Sequence, residues 1–222
     1  MRALLVCASP VVGSSSLLAR LAEDADLVVA VDGGGSLCLE AGIVPDMVLG
    51  DFDSLPAIDL QRLRTSGAEV LEFPAEKDAS DLELAVAEAR SQGATSVVVT
   101  AASSGRPDHY LAVLGVLASA RDLRPTIVEP EAEMWLLSVE GRASLVLSGA
   151  DATISLIPFG GSAVVSARGV QWELKDAILK ADSSTGLSNR IDSKGLARIC
   201  VATGIVLVFL PHATGAVSAQ GS

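Results

Sequence analysis

Aromatic residues make up only 3% of this 222-residue chain, and histidine occurs twice. A core without aromatic bulk has to be assembled from Ala, Val, Leu and Ile. Half of the chain is hydrophobic, which excludes a disordered, solvating polymer. Basic residues are also scarce: 16 Lys plus Arg stand against 27 Asp plus Glu, for a net charge of −11. Binding to a nucleic-acid backbone calls for clustered Lys and Arg, so no nucleic-acid partner is expected. A phosphate ligand would have to be met by backbone amides, by a few local cations or by a metal. No apolar run approaches the roughly 18–20 residues of a membrane span. The stretch Leu4-Leu5-Val6-Cys7 after Arg2 is too short for a signal peptide, whose apolar region runs about 7–15 residues. It reads as a first buried strand, and no membrane partner is expected. Cys7, Cys38 and Cys200 are far apart and form no C-x-x-C pair. They read as free thiols of a reducing, cytoplasmic compartment. The motifs G-x-G-x-x-G, G-x-x-x-x-G-K-[ST] and G-x-S-x-G are all missing, which disfavours a dinucleotide fingerprint, a P-loop and a serine hydrolase elbow. Too few His and Cys are grouped for zinc.

What is present changes character near residue 130. Before it, Ala3 to Ala8, Leu27 to Val31, Met47 to Leu49, Val70 to Phe73, Val97 to Ala101 and Thr126 to Val128 read as short strands. Most are continuously apolar, as strands are when helices cover both faces of a parallel sheet. The clearest helix follows Ser80. Ser80 and Glu83 have capping-box spacing, and Leu82, Ala85, Val86 and Ala89 form one apolar stripe before Gly93. A second helix begins at Pro107, where proline sacrifices no hydrogen bond. An open, mostly parallel α/β sheet follows. After Pro130 the helical periods vanish. Leu145 to Leu147, Thr153 to Ile157, Ala163 to Ser166, Ala197 to Val201 and Ile205 to Leu210 are short runs separated by Gly, Asp, Ser or Pro. They predict an antiparallel β domain, a sandwich or a barrel. The expected division is therefore 1–130, 131–211, and a frayed tail over 212–222.

Open α/β sheets bind ligands outside the carboxyl ends of their strands. The unusual residues fall there: Asp32-Gly33-Gly34-Gly35, then Gly50-Asp51-Phe52-Asp53-Ser54, then Lys77-Asp78-Ala79-Ser80-Asp81, then Gly105-Arg106-Pro107-Asp108-His109. Asp51 and Asp53 point to one side if the segment is extended. Two carboxylates about 5 Å apart repel by roughly 3 kcal/mol at an effective dielectric near 20, which a divalent cation would relieve. Oxygen ligands and phosphate partners point to Mg²⁺. A solvated turn leading to a helix at Pro56 is the alternative. Asp78 and Asp81 suit a helix N-terminus as ordinary first-turn acids. Asp81, at the first helical position, is also placed to hold a metal or to accept a substrate proton. The three glycines permit a phosphate to approach the backbone, or a tight strand-to-helix turn. Arg106 beside Gly105 makes an anion site or a surface arginine. His109 is a candidate ligand-side residue or a structural histidine.

Taken together, these residues resemble the thiamine pyrophosphokinase family. The run DGGG, GIVPDMVLGDFDSL, FPAEKDASDLELA and SSGRPDH, followed by RGVQWEL and SSTGLSN, matches that family's motifs in order from about Val31 to Asn189. The resemblance implies a catalytic α/β domain followed by a β-sandwich that binds thiamine, assembled as a homodimer with the site shared between subunits. It implies transfer of the diphosphoryl group of Mg·ATP to thiamine, with Asp51, Asp53 and Asp81 around the metal. Asp32, Gly33, Gly34, Lys77, Asp78, Gly105, Arg106, Asp108 and His109 would lie on the nucleotide side. Trp172, Ser188 and Asn189 would line the thiamine pocket. Trp135 is assigned to packing.

The chain departs from the family pattern in three places. The G-x-x-G-G-R segment reads Ala101-Ala102-Ser103-Ser104-Gly105-Arg106, the Gly-Gly-Ala-Asn after the first Asp ends at Ser36 as Gly-Gly-Gly-Ser, and the Asn after D-H-x-L-A is Val113. Two competing functions stay open on residues alone. One is diphosphoryl transfer to a hydroxymethylpterin or another heteroaromatic alcohol. The other is a catalytically inactive thiamine- or nucleotide-binding protein.

Overall fold

Six short runs in the first part of the chain become strands β1 (Arg2–Val6), β2 (Leu27–Val31), β3 (Met47–Gly50), β4 (Glu69–Glu72), β5 (Ser96–Thr100) and β6 (Thr126–Val128). They lie in the order β6-β5-β1-β2-β3-β4. The pairs β1–β2, β1–β5, β2–β3 and β3–β4 are all parallel. This is a computed structural model of the chain, described over residues 1–9 and 15–211, with the backbone alone of 218–221. It divides into two compact units, Met1–Val116 with Ile127–Pro130 and Leu117–Thr126 with Glu131–Ser222.

In the first unit, successive strand residues alternate between the two faces of the sheet. Leu4, Val6, Val28, Ala30 and Val48 form one core with Leu18 and Leu21 of helix α1 (Ser15–Glu23), Cys38 of α2 (Gly34–Glu40) and Leu63 of α3 (Ala57–Ser66). Helix α4 (Asp81–Ser91) contacts β1, β2 and β3 through the buried stripe Leu82, Ala85, Val86 and Ala89. The residues left for it by the alternation are Leu5, Val29 and Leu49, all buried. The expected capping box is present: Ser80 Oγ accepts from the Glu83 amide at 3.3 Å, and the Ser80 amide donates to Glu83 Oε2 at 2.7 Å. Helix α5 (Pro107–Ser119) begins at its proline. Having built β2 to β4 on one side of β1, the chain returns to place β5 on the other. All the strand ends that carry unusual residues therefore share one edge of the sheet.

The second unit is antiparallel, as expected, but its strands are longer than the sequence suggests. Its elements are β7 (Ala132–Leu137), β8 (Ser144–Ser148), β9 (Thr153–Arg168), β10 (Leu174–Leu179), β11 (Asn189–Arg190), β12 (Leu196–Pro211) and β13 (Ser218–Gly221). The pairs of runs read as separate strands are single bent strands, β9 and β12. Gly160 and Gly204 have φ of +70° and +78°, and bend the chain without ending it. The first half of β12 pairs β8 and its second half pairs β7, while β9 follows it along both. The two halves enclose a core that includes Leu145, Leu147, Ile154, Val165, Leu179, Ile199 and Val208. Each such fully buried side chain is worth about 1.5–3 kcal/mol. Trp135 is buried among them, in packing as expected. Of the tail expected to be frayed, Ser218–Gly221 pairs with β8; residues 212–217 and 222 lie outside the described residues. None of the cysteines is in a disulfide. Among the described residues, no helix is long and apolar enough to cross a membrane.

Candidate active site

The acidic site is assembled by backbone geometry at the ends of β2 and β3. The Asp32 amide donates to Leu49 O at 2.8 Å, which extends the parallel ladder one residue past β2. Asp32 has φ +48°, a left-handed conformation that turns the chain toward α2. Gly50, with φ +150°, faces it. A Cβ at Gly50 would lie 3.0 Å from Asp32 Cβ and 3.2 Å from its Cα. Any larger residue would force the two strand ends apart. Phe52, at φ +59°, then bends the chain between Asp51 and Asp53. The Phe73 amide donates to Gly50 O at 2.9 Å and ties in the end of β4. As a result, one carboxylate oxygen from each of Asp32, Asp51 and Asp53 lies within 4.8 Å of the others.

Asp81 joins this group through Lys77. The Lys77 ammonium is 3.0 Å from Asp81 Oδ1 and 3.5 Å from Asp51 Oδ2. Burial works to lower the Lys77 pKa, but the two carboxylates outweigh it and hold the value above the ordinary lysine range. Asp51 Oδ1 also accepts from the Asp53 amide at 3.2 Å, fixing its own turn. Ser54 Oγ donates a short hydrogen bond to Asp32 Oδ2. The other oxygen, Asp32 Oδ1, is buried with no hydrogen-bond partner. Burial raises the pKa of Asp32; Ser54 and the Gly33 amide oppose that, and the charges of Asp53 and Asp81 add to it. Among the described residues, one ammonium, paired with two of the four carboxylates, meets this cluster, which leaves it short of positive charge. The donor set is oxygen only and suits a hard cation such as Mg²⁺.

Other expected site residues are placed differently. Packing against backbone requires Gly34, and side chains crowd Gly33 and Gly35. A Cβ at Gly34 would run into the carbonyl oxygen of Val6, one at Gly35 would meet Leu63, and one at Gly33 would meet Ser54 Oγ. Asp78, Gly105, Arg106, Asp108 and His109 are exposed. The Arg106 guanidinium grips Asp108 with two bonds, Nε to Oδ1 at 3.2 Å and Nη2 to Oδ2 at 2.6 Å. In the second unit, Trp172 is 57% exposed and so is no core aromatic, while Asn189 is 3% exposed. The Asn189 amide holds the tryptophan's backbone from both sides: Oδ1 accepts from the Trp172 amide at 3.2 Å, and Nδ2 donates to its carbonyl at 2.8 Å. Ser188 is left-handed at φ +56°, and its amide donates to Ser155 Oγ at 3.0 Å. The sequence reading missed Ser54, Ser155 and Glu129. Glu129 directly follows an apolar strand, and the rule that ligands gather at strand ends would have drawn attention to it.

An open parallel sheet that collects carboxylates at its carboxyl edge, followed by an antiparallel unit that displays a tryptophan, defines a two-part α/β-plus-β protein with a cluster of carboxylate oxygens. Residues 18–128 match the family model described as thiamin pyrophosphokinase, catalytic domain, and residues 145–206 match its vitamin B1 binding domain. The chain belongs to the thiamin pyrophosphokinase family. It is 32% identical over 95 residues to the thiamine pyrophosphokinase of Bacillus subtilis (strain 168), a match covering 43% of this chain and 44% of that one. The match to thiamine pyrophosphokinase 1 of Arabidopsis thaliana covers 58% of that protein, so the chain spans about half the length of these curated relatives. The crystal structure of the Bacillus subtilis protein superposes with a TM-score of 0.80 at 21% identity, covering 95% of this chain and 99% of that one. For the Geobacillus thermodenitrificans thiamin pyrophosphokinase the values are 0.78, 25%, 95% and 97%.

Proposed function

We propose that the chain transfers the diphosphoryl group of Mg·ATP to the hydroxyl of thiamine, giving thiamine diphosphate and AMP. The observation that carries this reading is the carboxylate group Asp32, Asp51 and Asp53, gathered within 4.8 Å at the carboxyl edge of the sheet. A buried oxygen without a partner costs about 1–3 kcal/mol, and a cation beside Asp32 Oδ1 would satisfy it. A Mg²⁺ ion held there would supply positive charge against the negative charge that develops in transfer.

The chain's own residues do the rest. Asp51, Asp53 and Asp81 would hold the ion, with Asp32 beside them. Lys77 keeps an ammonium among them, where a phosphate oxygen can be met. Gly105 and Arg106 add the start of α5 and a guanidinium. The thiamine oxygen forms a bond to the β-phosphorus of ATP, and the bond from that phosphorus to the oxygen shared with the α-phosphorus breaks. AMP leaves with that oxygen, and the hydroxyl proton passes to a carboxylate of the rim. On the acceptor side, the exposed Trp172 ring stacks against thiamine beside Ser188. The Asn189 side chain is taken up by backbone groups, so it serves by fixing Trp172. The expected homodimer, with a partner copy completing the site, and the cytoplasmic setting of free thiols are part of the same proposal.

The test is to incubate purified protein with ATP, Mg²⁺ and either thiamine or hydroxymethylpterin, then separate the products. Thiamine diphosphate and AMP should appear in equal amounts, and only with thiamine. ADP as the product, or equal use of the pterin, would overturn the assignment.

A further inference from the structure

The turn after β5 contains a second gathering of like groups, here amides. Ala101 has φ +53°, which folds the chain so that successive N–H groups converge, as in the backbone nests that bind anions. These amides are already occupied. Those of Ala101, Ala102 and Ser103 donate to the Glu129 carboxylate at 3.2, 2.8 and 3.1 Å. Glu129 is 6% exposed and follows β6, within the same unit as the turn. Its charge is also felt at the end of β1 and in α5. Burial, and then Glu129, push the Cys7 thiol up to about 12, and the same two causes raise the Tyr110 phenol. The nest lies in the very segment where the chain lacks the glycines of the family pattern.

We propose that Glu129 is a positioning residue of the nucleotide side: its carboxylate fills the nest at 101–103, closes that stretch to phosphate, and fixes the turn bearing Gly105 and Arg106. The donor's phosphates are then left with the amides of 105 and 106 and the guanidinium. This rests on the reading that Mg·ATP binds at this edge. A carboxylate and a phosphate compete for the same amides, and a buried internal carboxylate on a strand end has the advantage of already being in place.

Amide hydrogen exchange, read residue by residue on the full chain with and without Mg·ATP, tests the proposal alongside kinetics of Glu129→Gln. In the wild type, amides 101–103 should be protected without nucleotide and unchanged by it, while those of 105 and 106 slow by about tenfold or more on addition, a change expected from one charge-assisted hydrogen bond. In Glu129→Gln, amides 101–103 should speed up by about tenfold and the KM for ATP should rise by about as much, with kcat and the KM for thiamine within about twofold. Protection of 101–103 by nucleotide would show the nest open to phosphate and overturn the proposal; this wild-type arm decides even if the variant does not fold. Faster exchange in the variant with an unchanged KM for ATP would reduce Glu129 to a structural role, which also overturns it. If no segment from 101 to 106 responds and no AMP forms, the parent reading falls and takes this inference with it.

Discussion

The turns after β2 and β3 and the turn after β5 leave the same edge of one sheet, yet their charges are arranged in opposite ways. Both use non-glycine residues in left-handed conformations, Asp32 and Phe52 on one side and Ala101 on the other. In the first case the bends converge carboxylates, and the described residues supply one ammonium, Lys77, to meet them. In the second the bend converges amides, and Glu129 meets them fully. A strained backbone thus concentrates one kind of group, and whether the fold supplies the counter-group decides whether the place is open to a ligand. The β2–β3 rim is unbalanced and open, whereas the nest after β5 is balanced and closed.

The hardest test of this contrast removes one carboxylate from the open side. Asp51→Asn keeps the shape and relieves repulsion, so the fold should hold, with a Tm within a few degrees of the wild type. AMP release should fall by about a thousandfold, since a cation at a transferring phosphoryl group is worth several kcal/mol and each 1.36 kcal/mol is tenfold in rate. AMP release at the normal rate would mean that the missing positive charge is not supplied by a cation there, and the contrast would fail.

The glycines beside Asp32 give the next largest effect, one of stability and not of chemistry. The Gly34→Ala methyl would be driven into the backbone of β1, against the carbonyl oxygen of Val6, its carbon at 2.8 Å and Cys7 O at 2.9 Å. Overpacking of this kind costs about 1–3 kcal/mol or more. At 2–4 °C per kcal/mol for a chain of this size, Tm should fall by roughly 2–12 °C in a thermal melt. An unchanged Tm with a raised KM for ATP would instead assign Gly34 to phosphate approach, and would bring amides into the open side of the rim.

These two cases show what the sequence could and could not reveal. Local spacing was enough to read the Ser80–Glu83 capping box and the helix start at Pro107, because each partner lies within a few residues of the other; the D-x-D segment expected to be extended is instead bent at Phe52, φ +59°. The convergence of Asp32 on Asp51 depends on strand order and on the missing Cβ of Gly50, and only the strand-end rule hinted at it. Glu129 was passed over because its partners are backbone amides 26–28 residues away. The glycines near 160 and 204 read as turns because φ above zero serves a bend inside a long strand as well as it ends one. The strands Ala132–Leu137 and Leu174–Leu179 went unread, one just past the expected boundary and the other between turn residues.

The smallest effect concerns the cation left on the closed side, Arg106. Its two bonds to Asp108 hold that carboxyl at about 2, well below the ordinary aspartate value, with backbone amides at the helix start helping. A depressed folded value means that the pair's contribution to stability is complete above the ordinary value, about pH 4, and is lost as pH falls toward the folded one. Both side chains are exposed, so salt screens the pair and the change in Tm should be slight. The titration itself is the sharper readout. Followed by carboxyl NMR, Asp108 should have a midpoint near 2 in the wild type and return toward the ordinary value in Arg106→Gln. If the wild type already titrates normally, the guanidinium is not held by Asp108 in solution. It would then meet the donor's phosphates without first giving up a carboxylate.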